Sequence, residues 1–126
     1  MTDEPRMSLS GIVLGTPDVS ELSAFYQRLL GWKVIDEEPG WVKLAAPGGG
    51  PGLSFQTENE YVRPTWPAGP GDQQMMIHLD IEVDDLEVAG AHAVASGAVL
   101  AAFQPQDDVR VYLDPDGHPF CLFLNE

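Results

Sequence analysis

The stretch MMIHLDIEVDDLEVAGAHAVASGA, residues 75–98, contains the pattern that decides the fold. Its first part alternates apolar and polar residues, which predicts a strand with one apolar and one polar face. A helix is predicted to follow, because Asp84 and Glu87 have the spacing of a capping box and Gly97 suits a helix C-terminus. The stretch therefore reads as a strand followed directly by a helix.

The same order of elements occurs earlier in the chain. LSGIVLGT (9–16) predicts a strand, and PDVSELSAFYQRLLG (17–31) predicts a helix with Asp18 and Glu21 at capping-box spacing. Three short strands are predicted after each helix, namely WKVIDE, GWVKLAA and GLSFQT after the first and VLAAF, DVRVYLD and PFCLFLN after the second. The chain thus reads as a βαβββ unit that occurs twice.

We therefore predict an α+β fold of two βαβββ modules, with curved mixed sheets around a shared cavity and the helices on the outside. A single module would expose an apolar face and a sheet edge, so the two must pair. The expected organisation is a loose leader over 1–8 and one domain over 9–124, with module one at about 9–57, a linker at about 58–74 and module two at about 75–124.

Composition limits the function classes. A chain of 126 residues with 44% hydrophobic residues can bury a core. Its 20 acidic and 6 basic residues give a net charge of −14, which argues against nucleic-acid binding. We find no apolar run of membrane-spanning length and no secretory signal pattern, so a cytoplasmic protein without a membrane partner is expected. The lone Cys121 excludes an internal disulfide and a structural zinc site made of cysteines.

The sequence resembles the glyoxalase, bleomycin-resistance and extradiol-dioxygenase superfamily, whose fold is also called the vicinal oxygen chelate fold. The resemblance covers about residues 9 to 124 and lies in the paired-module order and in three segments, TPDVSELSAFYQRLLGW, IHLDIEVDDLEVAGAHAVASGA and LDPDGHPFCLF. It implies the fold predicted above and a homodimer, in which the ligand often lies between chains. It does not select one activity, because the superfamily contains metal-dependent enzymes and metal-free binding proteins.

The resemblance also implies where metal ligands would lie, on the first and last strand of each module. Those positions are Gly11, Ser54, His78 and Cys121. Only His78 and Cys121 are competent donors, whereas a divalent catalytic centre needs about three protein ligands. We therefore expect no metal and no other cofactor.

A cavity between the modules would be lined by one face of the first and last strands. If the resemblance holds, the inward-facing residues are Gly11, Val13, Ser54, Gln56, His78, Asp80, Cys121 and Phe123. Trp41, Trp66 and Tyr112 are candidates for stacking on a flat or cationic ligand, although Trp41 and Tyr112 equally suit a core. Trp66 lies in a proline-rich segment and either caps the cavity or pins the loop to the body.

Two functions from different classes follow. The first is a metal-free protein that binds a small organic molecule in the cavity. The alternative is a lyase, isomerase or dioxygenase of this superfamily that uses a divalent metal or His78 as a general base, with Asp80 orienting the ring. Of the other candidates, we interpret His92 as a surface residue, His118 as a turn residue and Cys121 as a small buried hydrophobe.

Overall fold

Two four-stranded mixed sheets and two helices form the structure, a computed structural model that describes residues 4–124. In chain order the elements are β1 (Gly11–Thr16), α1 (Val19–Leu30), β2 (Lys33–Glu38), β3 (Trp41–Ala45), β4 (Gly52–Thr57), β5 (Leu79–Val83), α2 (Leu86–Ser96), β6 (Val99–Leu100), β7 (Val109–Leu113) and β8 (Pro119–Leu124). The predicted α+β fold of two βαβββ modules is confirmed, and the two sheets do not join into a closed one.

The predicted leader is only partly described, because residues 1–3 lie outside the described residues; residues 4–8 are exposed and have no regular structure. Among the helices of residues 4–124, none is long and apolar enough to cross a membrane.

The first helix begins and ends as the sequence predicts. The Asp18 side chain caps it by accepting a hydrogen bond of 3.1 Å from the backbone N–H of Glu21. At the other end Gly31 adopts φ 73°, a left-handed conformation that glycine tolerates without steric cost. Leu22, Phe25 and Tyr26 are fully buried, so this face of the helix covers the sheets.

Module two differs from the prediction at two boundaries. Asp85, and not Asp84, caps α2, because its carboxylate accepts from the backbone N–H groups of Glu87 and Val88 at 2.9 and 3.0 Å. The strand β5 begins at Leu79, whereas the alternation suggested residue 75. Leu79 lies opposite Phe120, so one more pair would place His78 opposite Pro119, which has no N–H to donate.

In each sheet, the strand that comes first in the chain lies beside the strand that comes last. The strand orders are β1-β4-β3-β2 and β5-β8-β7-β6, and the pairs β1–β4 and β5–β8 are parallel. Val13 lies opposite Ser54 in module one, and Asp80 lies opposite Cys121 in module two. Because paired residues point to the same side of a sheet, each of these pairs shares one face.

One hydrophobic core extends through both modules. The ring of Tyr26 in α1 stacks on Phe55 of module one, with centroids 5.6 Å apart, and lies 6.4 Å from Phe120 of module two. Phe25 lies 6.0 Å from the same Phe120 ring. Side chains of α1, the helix of module one, therefore pack against both sheets.

A buried carboxylate strengthens this junction. Asp114 is 1% exposed and lies in the turn between β7 and β8. It accepts hydrogen bonds from the hydroxyl of Tyr26 at 2.7 Å, from the backbone N–H of Asp116 at 3.0 Å and from the backbone N–H of His118 at 2.9 Å. The turn of module two is therefore bonded to the helix of module one.

The imidazole of His118 makes a second bridge between the modules. Its Nδ1 lies 2.8 Å from the Asp114 carboxylate, and its Nε2 lies 2.9 Å from the carbonyl oxygen of Gly15 in β1. Since both neighbours are acceptors, the doubly protonated ring satisfies both contacts. Burial alone would lower the pKa of His118, but the hydrogen bond and charge of Asp114 outweigh it and raise the pKa above 6.5. The predicted turn residue thus also joins the modules.

Replacing Tyr26 with Phe removes one donor from the buried carboxylate of Asp114. We expect the free energy of unfolding to fall by about 1–3 kcal/mol, measured by urea denaturation. Tyr112→Phe is the matched control, since that ring lies in the same core but its hydroxyl is not among the donors to Asp114. An equal loss in the two variants would contradict this role of the carboxylate.

The raised pKa of His118 predicts that stability depends on pH. A group whose folded pKa is raised contributes fully below its unfolded pKa of 6.5, and the contribution is lost as the pH rises through the folded pKa. Urea unfolding between about pH 6 and pH 9 should therefore show decreasing stability. His118→Gln should flatten this decrease. An identical slope in the wild type and in His118→Gln would refute the assignment of this pH dependence to His118.

Candidate functional site

A cleft of about 360 Å³ opens on the face of module two that carries Asp80 and Cys121. Its walls come from β5, β7, β8, the loop before β7 and the linker. The lining residues are Trp66, His78, Asp80, Pro105, Gln106, Asp108, Val109, Val111, Cys121, Phe123 and Leu124. Five of these, namely Trp66, His78, Asp80, Cys121 and Phe123, are predicted from the sequence, and the structure brings them together.

Three polar side chains converge in this cleft. The Nε2 of His78 lies 3.1 Å from Oδ1 of Asp80, and one donor atom from each of His78, Asp80 and Cys121 lies within 4.8 Å of the others. The strand pattern explains the grouping. Asp80 and Cys121 are paired across β5 and β8, and His78 precedes Asp80 by two residues on the same side.

The thiol of Cys121 is neutral at physiological pH. Burial raises its pKa, and the charge of Asp80 and a hydrogen bond to that carboxylate raise it further, to about 11. The residue is 4% exposed, as the interpretation of a small buried side chain requires. A thiol with a raised pKa stays protonated at neutral pH, so Cys121 is no activated nucleophile in this arrangement.

Trp66 forms an aromatic wall of the cleft. Its ring stacks on the imidazole of His78, with centroids 5.0 Å apart and planes at 22°. The edge-to-face contact with Phe103, at 5.2 Å and 61°, holds the indole from another side. The proline-rich segment is therefore fixed to module two by Trp66, which also contributes to the lining.

Sequence reasoning missed six lining residues, of which Asp108 matters most because it adds a second carboxylate. The loop before β7 carries it and has no periodic pattern from which an orientation could be read. The alternation of side chains could have identified Val109 and Val111 as lining residues, since Val111 is paired with Cys121 and Val109 with Phe123.

The candidate residues of module one lie elsewhere. Val13 lines a separate cleft of about 400 Å³ between β1, the linker and the start of β8, together with His118 and Met76. Gly11, Ser54 and Gln56 line neither cleft. The candidate residues of the two modules therefore do not meet in one cavity, although Val13 and His118 line a cleft to which both modules contribute.

The two remaining aromatic candidates also lie outside the cleft. Tyr112 is 7% exposed and stacks on Phe120 at 5.8 Å, so it belongs to the core. A Cβ at Gly90 of α2 would collide with its hydroxyl, which shows how closely the helix packs there. Trp41 lies on β3 opposite Gln56, away from the cleft. Both residues were candidates for stacking on a ligand because they are aromatic. The orientation of their strands places them away from the cleft.

His92 is exposed, as interpreted from the sequence, but it is not isolated. Its Nε2 lies 3.1 and 3.0 Å from the carbonyl oxygens of Arg28 and Leu29 at the end of α1. Arg28 in turn donates to the carbonyl of Ser96 at 2.7 Å. These contacts join the C-terminal ends of the two helices and give His92 a structural role.

The metal arrangement that the family resemblance implies does not fit this chain. It needs ligands from both modules, yet Gly11 has no side-chain donor and Ser54 is 2% exposed. Module two provides three potential metal ligands instead of the two expected, because Asp80 lies close to His78 and Cys121. Three nearby donors match the number of protein ligands in catalytic zinc sites.

Asp80 should control the reactivity of Cys121. With a pKa of about 11, the native thiol should react slowly with iodoacetamide at pH 8. Asp80→Asn removes the charge and the acceptor, so the pKa should fall and alkylation should become several-fold faster. Glu82→Gln, further along the same strand, is the matched control. An Asp80→Asn variant that reacts no faster than the wild type would exclude this coupling.

Comparisons with known proteins agree with the fold. The crystal structure of a glyoxalase/bleomycin resistance protein/dioxygenase family enzyme from Burkholderia phytofirmans PsJN aligns with a TM-score of 0.73 and 22% identity, covering 94% of this chain and 98% of that one. A glyoxalase-related enzyme from Fulvimarina pelagi aligns with a TM-score of 0.69 and 20% identity, covering 95% and 89%. A glyoxylase/bleomycin resistance protein/dioxygenase domain from Frankia sp. EAN1pec gives 0.67 and 17%, covering 97% and 100%.

At these identities the solved structures show the fold alone. No curated protein matches the sequence. The sequence profile of the glyoxalase-like domain family, however, matches residues 11–123, which is nearly the whole chain. The chain therefore belongs to the glyoxalase-like domain family.

Proposed function

We propose that this protein binds a small organic molecule in the module-two cleft. The observation that carries the proposal is the stacked pair of Trp66 and His78, with the imidazole of His78 3.1 Å from the Asp80 carboxylate. The volume of about 360 Å³ falls within the usual range of small-ligand pockets, roughly 300–1,000 Å³. The walls combine apolar and aromatic side chains with a few polar groups, as such pockets do.

The aromatic wall favours a ligand with a flat ring. The indole of Trp66 is held by two ring contacts, and Phe123 lines the same cleft. A side chain that is already positioned loses little conformational entropy when a ligand stacks on it. An offset-stacked aromatic pair adds about 0.5–1.5 kcal/mol beyond area burial.

The polar groups favour a cationic ligand or a neutral hydrogen-bond donor. Two carboxylates, Asp80 and Asp108, line the cleft, and the lining residues identified in the described chain include no Lys or Arg. The Asp80 side chain is 62% exposed, so its carboxylate remains accessible to a ligand. The net charge of −14 adds attraction for cations. Binding of this kind needs no metal.

Catalysis by His78 is the second candidate function, favoured by its contact of 3.1 Å with Asp80. A carboxylate at this distance can orient the imidazole for general-base catalysis. Covalent catalysis by Cys121 is disfavoured by its pKa of about 11. The similar structures include proteins named for bleomycin resistance and for dioxygenase, so family membership does not choose between binding and catalysis. A cytoplasmic location and a homodimer stay predictions.

Binding is tested with proflavine, a planar aromatic cation, and with 2-naphthoate, a planar anion. We expect proflavine to bind more tightly and to quench tryptophan fluorescence. Trp66→Ala should weaken binding by about fivefold to tenfold because the stacking surface is lost. Asp80→Asn should weaken binding of the cation. Trp41→Ala is the matched control and should bind as the wild type does.

Two outcomes would contradict the proposal. An equal loss in Trp41→Ala and Trp66→Ala, with both variants folded by circular dichroism, would place the ligand outside the cleft. Tighter binding of 2-naphthoate than of proflavine would refute the preference for cations.

A further inference from the structure

We infer that a second cleft, which lies where the two modules meet, is a further ligand site and binds an organic cation with an aliphatic body. This junction cleft has a volume of about 400 Å³, and Val13, Tyr61, Met76 and His118 are among its lining residues. Of the lining residues identified within the described chain, none is shared with the module-two cleft. The two clefts can therefore be occupied and tested independently.

The apolar part of the junction cleft consists mainly of aliphatic and thioether side chains. Val13, Val62, Met76 and Ile77 all line it, and each is between 46% and 76% exposed. Large apolar side chains that gather at one exposed place often mark a binding surface. The unbranched side chain of methionine also adapts to the shape of its partner. A flexible aliphatic chain therefore suits this wall, whereas the indole of the module-two cleft suits a flat ring.

The charged part of the junction cleft favours a cation. The carboxylates of Glu58 and Glu60 belong to its lining, and the lining residues identified in the described chain include no Lys or Arg. His118 also lines the cleft, but the Asp114 carboxylate, 2.8 Å from its ring, offsets the positive charge of the imidazolium. The net charge of −14 adds to the attraction for cations. An ammonium group is therefore favoured over a carboxylate or a phosphate.

Hydrogen bonds hold part of this wall in position before a ligand binds. The backbone N–H of Glu58 donates to the carbonyl oxygen of Thr16 at 2.8 Å, which fixes the start of the linker beside β1. The hydroxyl of Tyr61 donates to the carbonyl oxygen of Asp116 at 2.8 Å, and its ring centroid lies 5.4 Å from that of His118. An ammonium group over the face of Tyr61 gains a cation–π contact. A wall that is already ordered lowers the entropic cost of binding.

A ligand in the junction cleft contacts both modules at once. Val13 belongs to β1 of module one, whereas His118 and Pro119 belong to module two. A ligand that binds only the folded arrangement of the modules stabilises that arrangement. Binding should therefore raise Tm, and variants that weaken binding should reduce this rise.

The test is isothermal titration calorimetry of the full-length protein with n-octylammonium chloride at neutral pH and low salt. We expect octylammonium to bind more tightly than ethylammonium, which lacks the long aliphatic body, and more tightly than octanoate, which carries the opposite charge. Thermal unfolding with the same three compounds should show the largest rise in Tm with octylammonium. Absence of octylammonium binding at millimolar concentrations, or equally tight binding of octanoate, overturns the inference.

A double variant tests the contribution of the two carboxylates. Replacing both Glu58 and Glu60 with Gln should weaken octylammonium binding by about fivefold to twentyfold, because two ion-pair partners are lost. Replacing both Glu37 and Glu38 with Gln is the matched control, since these exposed residues of β2 lie outside the cleft. Equal weakening in the two double variants would show attraction by overall charge alone and would overturn the inference.

A second set of variants locates the aliphatic body. Met76→Gln should weaken octylammonium binding by about threefold to tenfold because apolar contact is lost, whereas Met7→Gln, equally exposed but outside the cleft, should not. Equal or larger weakening by Trp66→Ala or Asp80→Asn would place octylammonium in the module-two cleft and overturn the inference, while leaving proflavine binding there intact. A Met76→Gln variant with a lower molecular mass in gel filtration and unchanged octylammonium binding would show that a second copy of the chain covers this surface, which also overturns it.

Discussion

The buried carboxylate of Asp114 is the interaction on which the arrangement of the two modules depends. A carboxylate that is 1% exposed is tolerated only when donors surround it. Its donors come from both modules, the hydroxyl of Tyr26 from α1 and the ring and backbone of His118 from the turn before β8. A displacement of one module relative to the other would remove the Tyr26 hydroxyl from this carboxylate and the Gly15 carbonyl from the His118 ring, so a single packing is strongly preferred.

The cleft depends on the same turn. Gly117 adopts φ 91° in the turn before β8. Pro119, two residues later, begins β8. The start of β8 sets the register with β5, and that register puts Cys121 beside Asp80. A few residues of β8 therefore link the junction between the modules to the chemistry of the cleft. None of the hydrogen bonds described above joins Cys121 to the Asp114 network.

Local patterns were sufficient to predict most of the fold. Capping residues and helical spacing located both helices to within one residue, and alternation together with the family resemblance placed Asp80 and Cys121 on a common face. The bridge from His118 to Gly15 spans 103 positions in the chain, so no local pattern could reveal it. The orientation of Asp108 is likewise set by loop packing. The position of Tyr112 stayed open for another reason: an aromatic side chain on a strand suits a ligand wall and a core equally well.

The two modules share a backbone plan but carry different chemistry at equivalent positions. Val13 and Ser54 in module one occupy the places that Asp80 and Cys121 occupy in module two. At Gly11, an added Cβ would lie 3.3 Å from the carbonyl oxygen of Gly52, closer than most such contacts. A larger donor side chain there would require the paired strands to shift. Position 11 therefore resists gaining a ligand side chain, whereas the equivalent face of module two carries Asp80 and Cys121.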